Sequence, residues 1–225
     1  MDNVPTTPTP SAREPNDPVN KRPEFLLEMY KQMMNDINRH ILVVWQSAGV
    51  VAGSFAILAL VEKRVIPLDV ATALVLLICL WALAHLIDAG YWYNRNLCII
   101  ANIERQFLKS SDLKNIHYYF GEHRPNNVML THLIIQVYLC SGVAAMVLLY
   151  HFVNRIVPGL SSSFQQFEVN RALPYAVAVA GMLLLVKLWV KRNRDYHEFI
   201  HNSPGIAVDT SSVTYGSGHG FERKR

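Results

Sequence analysis

An all-α, four-span membrane bundle is predicted by three observations. Four apolar stretches, Ile41 to Val61, Val70 to Ile87, Leu133 to Val153 and Ala172 to Val190, interrupt an otherwise polar chain of 225 residues. At about 1.5 Å rise per residue, stretches near 20 residues match a hydrocarbon core about 30 Å thick, and the first and third contain no Lys, Arg, Asp or Glu. The third observation is charge placement. Of the 21 lysines and arginines, all except Lys63, Arg64, Arg155 and Arg171 lie before the first stretch, between the second and third, or from Lys187 onward. By the positive-inside rule both termini and the central connection face the cytoplasm.

Taken in order, residues 1–23 hold six of the eleven prolines among Thr, Ser, Asn and Asp, the composition of a disordered cytoplasmic tail. From Glu24, Leu26, Tyr30, Met33, Ile37 and Ile41 recur at four- and three-residue steps, so a helix is expected to run unbroken into the first span, 41–61. The short turn EKRVIP leads to the second span, 70–87. After it, Leu97, Ile100, Ile103 or Glu104, Phe107 and Leu108 continue a helical stripe into the cytoplasm. The two extensions must then lie side by side and antiparallel, giving a first helical hairpin over 24–110. Ser110, Ser111 and Asp112 end it. A cytoplasmic connector follows over 111–130, in which Asn115 to Asn127, with Tyr118, Tyr119 and Phe120, is expected at the membrane interface. A second hairpin covers 131–201 with spans 133–153 and 172–190, and 202–225 is a flexible cytoplasmic tail.

The second half resembles the first in outline. His40 and His132 precede spans one and three, SAGVVA (Ser47 to Ala52) matches CSGVAA (Cys140 to Ala145), KRVIP matches NRIVP, and WYNRN resembles WVKRN. A parallel duplication of a two-span unit and chance similarity between apolar helices both account for this.

Composition narrows the function classes. The net charge of +4 comes from basic residues beside the spans rather than in one stripe, which points to topology and anionic headgroups and away from nucleic acid. Cys79, Cys98 and Cys140 are an odd set in or beside apolar helix and do not suggest a disulfide framework. The first 40 residues are polar, so the first span is expected to act as its own insertion signal. No phosphate-binding glycine loop, nucleophile triad order or paired carboxylates occur in the spans, and no cofactor is expected.

Four constellations remain. His197, Glu198, Phe199, Ile200 and His201 form a literal HExxH, which in metallopeptidases turns two imidazoles onto one helix face to hold zinc beside a Glu base. Asn202, Ser203, Pro204 and Gly205 end the helix at once, as they would at a solvated helix terminus. His85 and Asp88, three residues apart near the cytoplasmic end of span two, read either as a gate or proton relay or as a headgroup-level pair within the belt of Trp81, Tyr91, Trp92 and Tyr93. Gln136 is a lone polar residue in span three, suited to an interhelical hydrogen bond. Gly49 and Gly53 make a GxxxG, flanked by Ala48, Ala52 and Ala56, that lets helices approach closely within the chain or between copies.

Small bacterial anti-phage effectors are similar in outline: a few spans, cytoplasmic amphipathic helices such as Glu24 to His40 and Leu97 to Lys109, and no catalytic site. The resemblance covers roughly residues 24–201. It implies a non-enzymatic, oligomeric protein of the bacterial inner membrane that forms pores or disrupts lipid and is held silent by a cytoplasmic partner protein or small ligand. The competing expectations are a scaffold that anchors a soluble partner and a membrane-anchored zinc metallopeptidase using His197, His201 and Glu198.

Overall fold

The computed structural model describes residues 21–108, 126–161 and 168–202, which are helical almost throughout. Helix α1 spans Arg22–Gly53, α2 Phe55–Glu62, α3 Leu68–Phe107, α4 Thr131–His151 and α5 Leu173–His201. Ser54 alone separates α1 from α2, and it keeps right-handed backbone angles, so the two act as one rod. Among the described residues, four helical segments are long and apolar enough to cross a membrane, as the apolar stretches predict.

Local chemistry sets the helix ends. Pro23 and Pro174 sit in the first turns of α1 and α5, where a missing N–H costs nothing. The helix therefore starts at Arg22, two residues before the expected Glu24. The turn after α2 closes with Arg64 N–H donating to Val61 O at 2.9 Å and Val65 N–H to Leu60 O at 2.9 Å, a Schellman motif. Arg64 takes the left-handed position at φ 56°, which glycine usually fills and which costs an L-residue about 1–2 kcal/mol.

Helix α3 is the axis, with α1, α4 and α5 packed around it. Its apolar residues are buried on several sides, including Ala71, Val75, Leu76, Cys79, Ala82 and Leu86. The main core joins Val44 and Val51 of α1, Val75, Cys79, Ala82 and Leu86 of α3, and Leu133, Cys140, Val143 and Val147 of α4. Gln136 is buried among these helices. Ser47 and Ser54 satisfy their hydroxyls on Val43 O at 3.0 Å and Val51 O at 2.6 Å, so neither needs water in an apolar medium.

Three helices, not the expected two, continue past the apolar stretches at one end. There α1 and α3 run antiparallel and bury Ile37, Leu97 and Ile100 with Tyr30, Met33, Met34, Ile41 and Tyr93 against them. Tyr30, Met33, Ile37, Ile41, Leu97 and Ile100 belong to the two stripes expected from spacing, whereas Phe107, expected to continue the second, is 49% exposed; in water burying one such isoleucine is worth about 1.5–3 kcal/mol. The third member is the end of α5, where Tyr196 and Ile200 pack on Cys98 with Tyr91 and Phe199. We call this three-helix part the stalk.

The halves differ in packing. α1 lies directly along α3, whereas α4 and α5 scarcely touch and each leans on α3 instead. The sequence likeness between halves therefore does not extend to two equivalent closed hairpins. The disordered tail expected over 1–23 lies outside the described residues except for 21–23. Most of the 111–130 connector, with Tyr118, Tyr119 and Phe120, and the 203–225 tail also lie outside them.

Candidate functional site

Two polar centres flank the apolar stretch of α3, one in the helix's first turn and one near its middle where the stalk begins. At the end away from the stalk, Asp69 stands in the first turn of α3, where the helix dipole favours a carboxylate, and only 1% of the residue is exposed. His151, the last residue of α4, directs Nε2 at Asp69 Oδ1 at 2.9 Å. A carboxylate only accepts, so the ring proton belongs on Nε2, and Nδ1 is left to pair with the Tyr175 hydroxyl at 3.2 Å. Arg155, one turn further, forks onto the same carboxylate with Nε at 3.0 Å from Oδ1 and Nη2 at 2.9 Å from Oδ2.

The chain departs from α-helix here. Phe152–Ile156 forms a π turn and Val157–Ser161 a 3-10 turn, an irregularity frequent at functional sites. The carbonyl of Arg155 accepts from Arg171 Nη1 at 3.3 Å. Glu168 bridges both guanidiniums, 2.7 Å from Arg155 Nη2 and 3.1 Å from Arg171 Nη2. Asp69, Arg155, Glu168 and Arg171 thus alternate in sign and tie the ends of α3, α4 and α5 into one network.

Hydrogen bonds from Arg171 and then Arg155 hold the Glu168 carboxyl below its ordinary value of 4.5. A carboxylate depressed in the folded state contributes stability above the unfolded value and loses it as pH falls through the folded one. Wild type is therefore expected to melt above Glu168→Gln at neutral pH in detergent. The gap should close as pH falls below 4.5, and a gap unchanged across that range would contradict the pairing.

At the stalk end, Asp88 is held by Arg192 of α5, whose Nε lies 2.7 Å from Oδ1 and whose Nη2 also contacts it. Arg192 additionally reaches Asp195 at 3.3 Å and lies 4.7 Å from the Tyr91 ring centroid. His85 instead packs edge-on against Trp81, centroids 4.6 Å apart. The structure thus engages Asp88 across helices with a cation and gives His85 an aromatic neighbour, rather than joining the two side chains. Nearby, Asn94 Nδ2 donates to Asn127 Oδ1 and to Val128 O, both at 2.9 Å, and Asn127 Nδ2 donates to Asn193 Oδ1 at 3.1 Å. These amides fasten the start of α4 to α3 and α5.

The HExxH residues finish α5. His197, Glu198 and His201 are exposed, while Ile200 is buried and Phe199 partly so. The apolar pair docks the helix on α3, and Arg95 lies between Phe199 and Trp92, 5.6 and 5.1 Å from their centroids. Among the described residues, no group of three or more His, Cys, Asp or Glu side chains comes close enough to hold a metal ion. The motif here supplies a packing face and a polar face.

Gly49 and Gly53 look outward. A Cβ built on either meets no atom within 4 Å, so neither mediates a close approach inside the chain. That role falls to Gly181 of α5, where a Cβ would lie 2.8 and 2.9 Å from Cδ2 and Cγ of Leu80 on α3. The sequence reading missed Gly181, which has no small residue four positions away, and missed the Asp69 network, whose members are scattered over a hundred positions. Comparison with protein-family models, curated proteins and solved structures finds no match.

Proposed function

We propose that the chain is a non-enzymatic, oligomeric protein of the bacterial inner membrane whose stalk receives a signal in the cytoplasm and whose spans respond by opening a conducting path. One observation carries this reading: α1 and α3 are continuous from the stalk into the apolar bundle, and α5 does the same. A displacement in the stalk has no flexible joint in which to dissipate. The signal is a cytoplasmic protein or small ligand, and a role in defence against phage belongs to the same proposal. A scaffold would need the spans only as an anchor, and nothing in an anchor calls for ion-paired carboxylates at both ends of the central helix's apolar stretch.

The copies meet along the outward face of Gly49 and Gly53, where lipid-exposed backbone allows close approach. Gly53→Leu is expected to leave the single chain folded, since its side chain enters open space. It should shift the detergent-solubilised protein to a smaller assembly by sedimentation or light scattering, and an unchanged assembly would remove this seam.

Conduction itself is tested by membrane potential and dye leakage in cells induced to express wild type, Glu198→Gln or Asp88→Asn. Depolarisation that survives Glu198→Gln and changes with Asp88→Asn supports a conducting bundle and retires a peptidase. Depolarisation abolished by Glu198→Gln would reverse that conclusion.

A further inference from the structure

We infer that the Asp69 network is a latch that holds the end of the bundle away from the stalk closed, and that this end opens separately from the stalk. The inference rests on the conducting reading for its purpose but on geometry for its existence. Three helices converge on one carboxylate: α3 supplies Asp69, α4 supplies His151 and the π turn that follows it Arg155, and α5 supplies Tyr175 through the His151 ring. Without these bonds the ends of α4 and α5 have little to keep them together, because the two helices scarcely touch. The fourth span is also mostly uncovered, with 6% of its most apolar window buried. The segment carrying Arg155 is a π turn followed by a 3-10 turn rather than continuous α-helix, so it can change pitch at lower cost than a regular helix.

The latch has a built-in asymmetry. Asp69 and His151 are 2% and 0% exposed in their side chains, whereas Arg155 is 31% and Glu168 53% exposed. The buried half holds the carboxylate in place. The accessible half, Arg155, already holds a second carboxylate, Glu168, through Nη2, so releasing Asp69 need not strand a cation. One guanidinium shared by two acceptors gives the end of the bundle two electrostatically tolerable arrangements, with Asp69 bound or with Asp69 released and Glu168 kept, the minimum a switch requires.

Thr72, one turn along α3 from Asp69, is fully buried and reports opening when replaced by cysteine. The native Cys98, buried in the stalk, is an internal control for unfolding of the whole chain. Full-length protein carrying Thr72→Cys, in permeabilised membranes, is treated with a small charged thiol reagent, and labelling is located by peptide mass. Adding Asp69→Asn is expected to accelerate labelling at position 72 by at least roughly tenfold while Cys98 stays protected, because labelling follows the open population. Arg155→Gln, which removes a partly exposed group, is the second variant should Asp69→Asn fail to insert. No acceleration in either variant, or parallel labelling of both cysteines in both, would overturn the latch. Acceleration without ion leakage would leave the latch standing and remove the conducting reading instead.

Discussion

Asp69→Ala is expected to destabilise the protein by about 3 kcal/mol in detergent, measured by reversible titration with a denaturing detergent. Removing one member of a buried ion pair usually costs about 3–5 kcal/mol, because the partner is left uncompensated. Here the stranded partner, Arg155, is 31% exposed and can lean further on Glu168, which places the loss at the lower end. His151 has no such escape, being fully buried with Nε2 aimed at the missing carboxylate. The comparison that isolates the pair is Asp69→Leu together with Arg155→Met. Since burying apolar groups in place of a charge pair is often nearly neutral, the double variant should cost less than Asp69→Leu alone. A loss under about 1 kcal/mol for Asp69→Ala would mean that the three helix ends are held by something other than this carboxylate.

Gly181→Leu is expected to detach α5 from α3 in the middle of the bundle. Two terms oppose each other. Replacing a mid-helix glycine recovers about 0.5–1 kcal/mol of helix propensity. Forcing a branched side chain into the space held by Leu80 costs about 1–3 kcal/mol or more through displaced rotamers and backbone, and Cγ of Leu80 already lies 2.9 Å from where the first added atom would sit. For Gly181→Ala the terms nearly cancel, because Leu80 can turn aside. For leucine the steric term wins by roughly 2 kcal/mol. The expected signature is labelling of Cys98, since Tyr196 of α5 covers it with its hydroxyl 3.3 Å from the sulfur. Gly181→Leu without new exposure of Cys98 would show that α5 is not held by this crossing. Gly181→Leu breaks the chain's own packing, whereas Gly53→Leu is expected to break only its assembly.

The spans and the first two stalk helices were legible because each rests on a periodic signal. Tyr30, Met33 and Ile37 repeat at helical spacing, Leu97 and Ile100 answer them, and the structure seats them in one seam. The third stalk helix was obscured by charge. Between Lys187 and His201 the apolar residues are few, and Phe199 and Ile200 read as part of a metal motif before they read, with Tyr196, as a packing face. GxxxG spacing shows that a helix can approach a neighbour, but not which neighbour. Gly49 and Gly53 satisfy the pattern and face outward, while Gly181 lacks it and makes the contact. The ion pairs were least accessible, since Asp69 and Arg155 are 86 positions apart. Local spacing joined Asp88 to His85, three residues away. Tertiary structure joins it to Arg192, 104 residues away.

The most direct test of stalk control is to delete Glu24 to Asn38, which removes most of the α1 side of the seam while sparing the apolar stretch from Ile41. Wild type and the deletion, inserted to equal levels in cells, are compared by membrane potential. The two are expected to differ severalfold in depolarisation, because α1 carries the state of the stalk into the bundle. Equal depolarisation at equal insertion would contradict stalk control and leave the spans acting without the stalk.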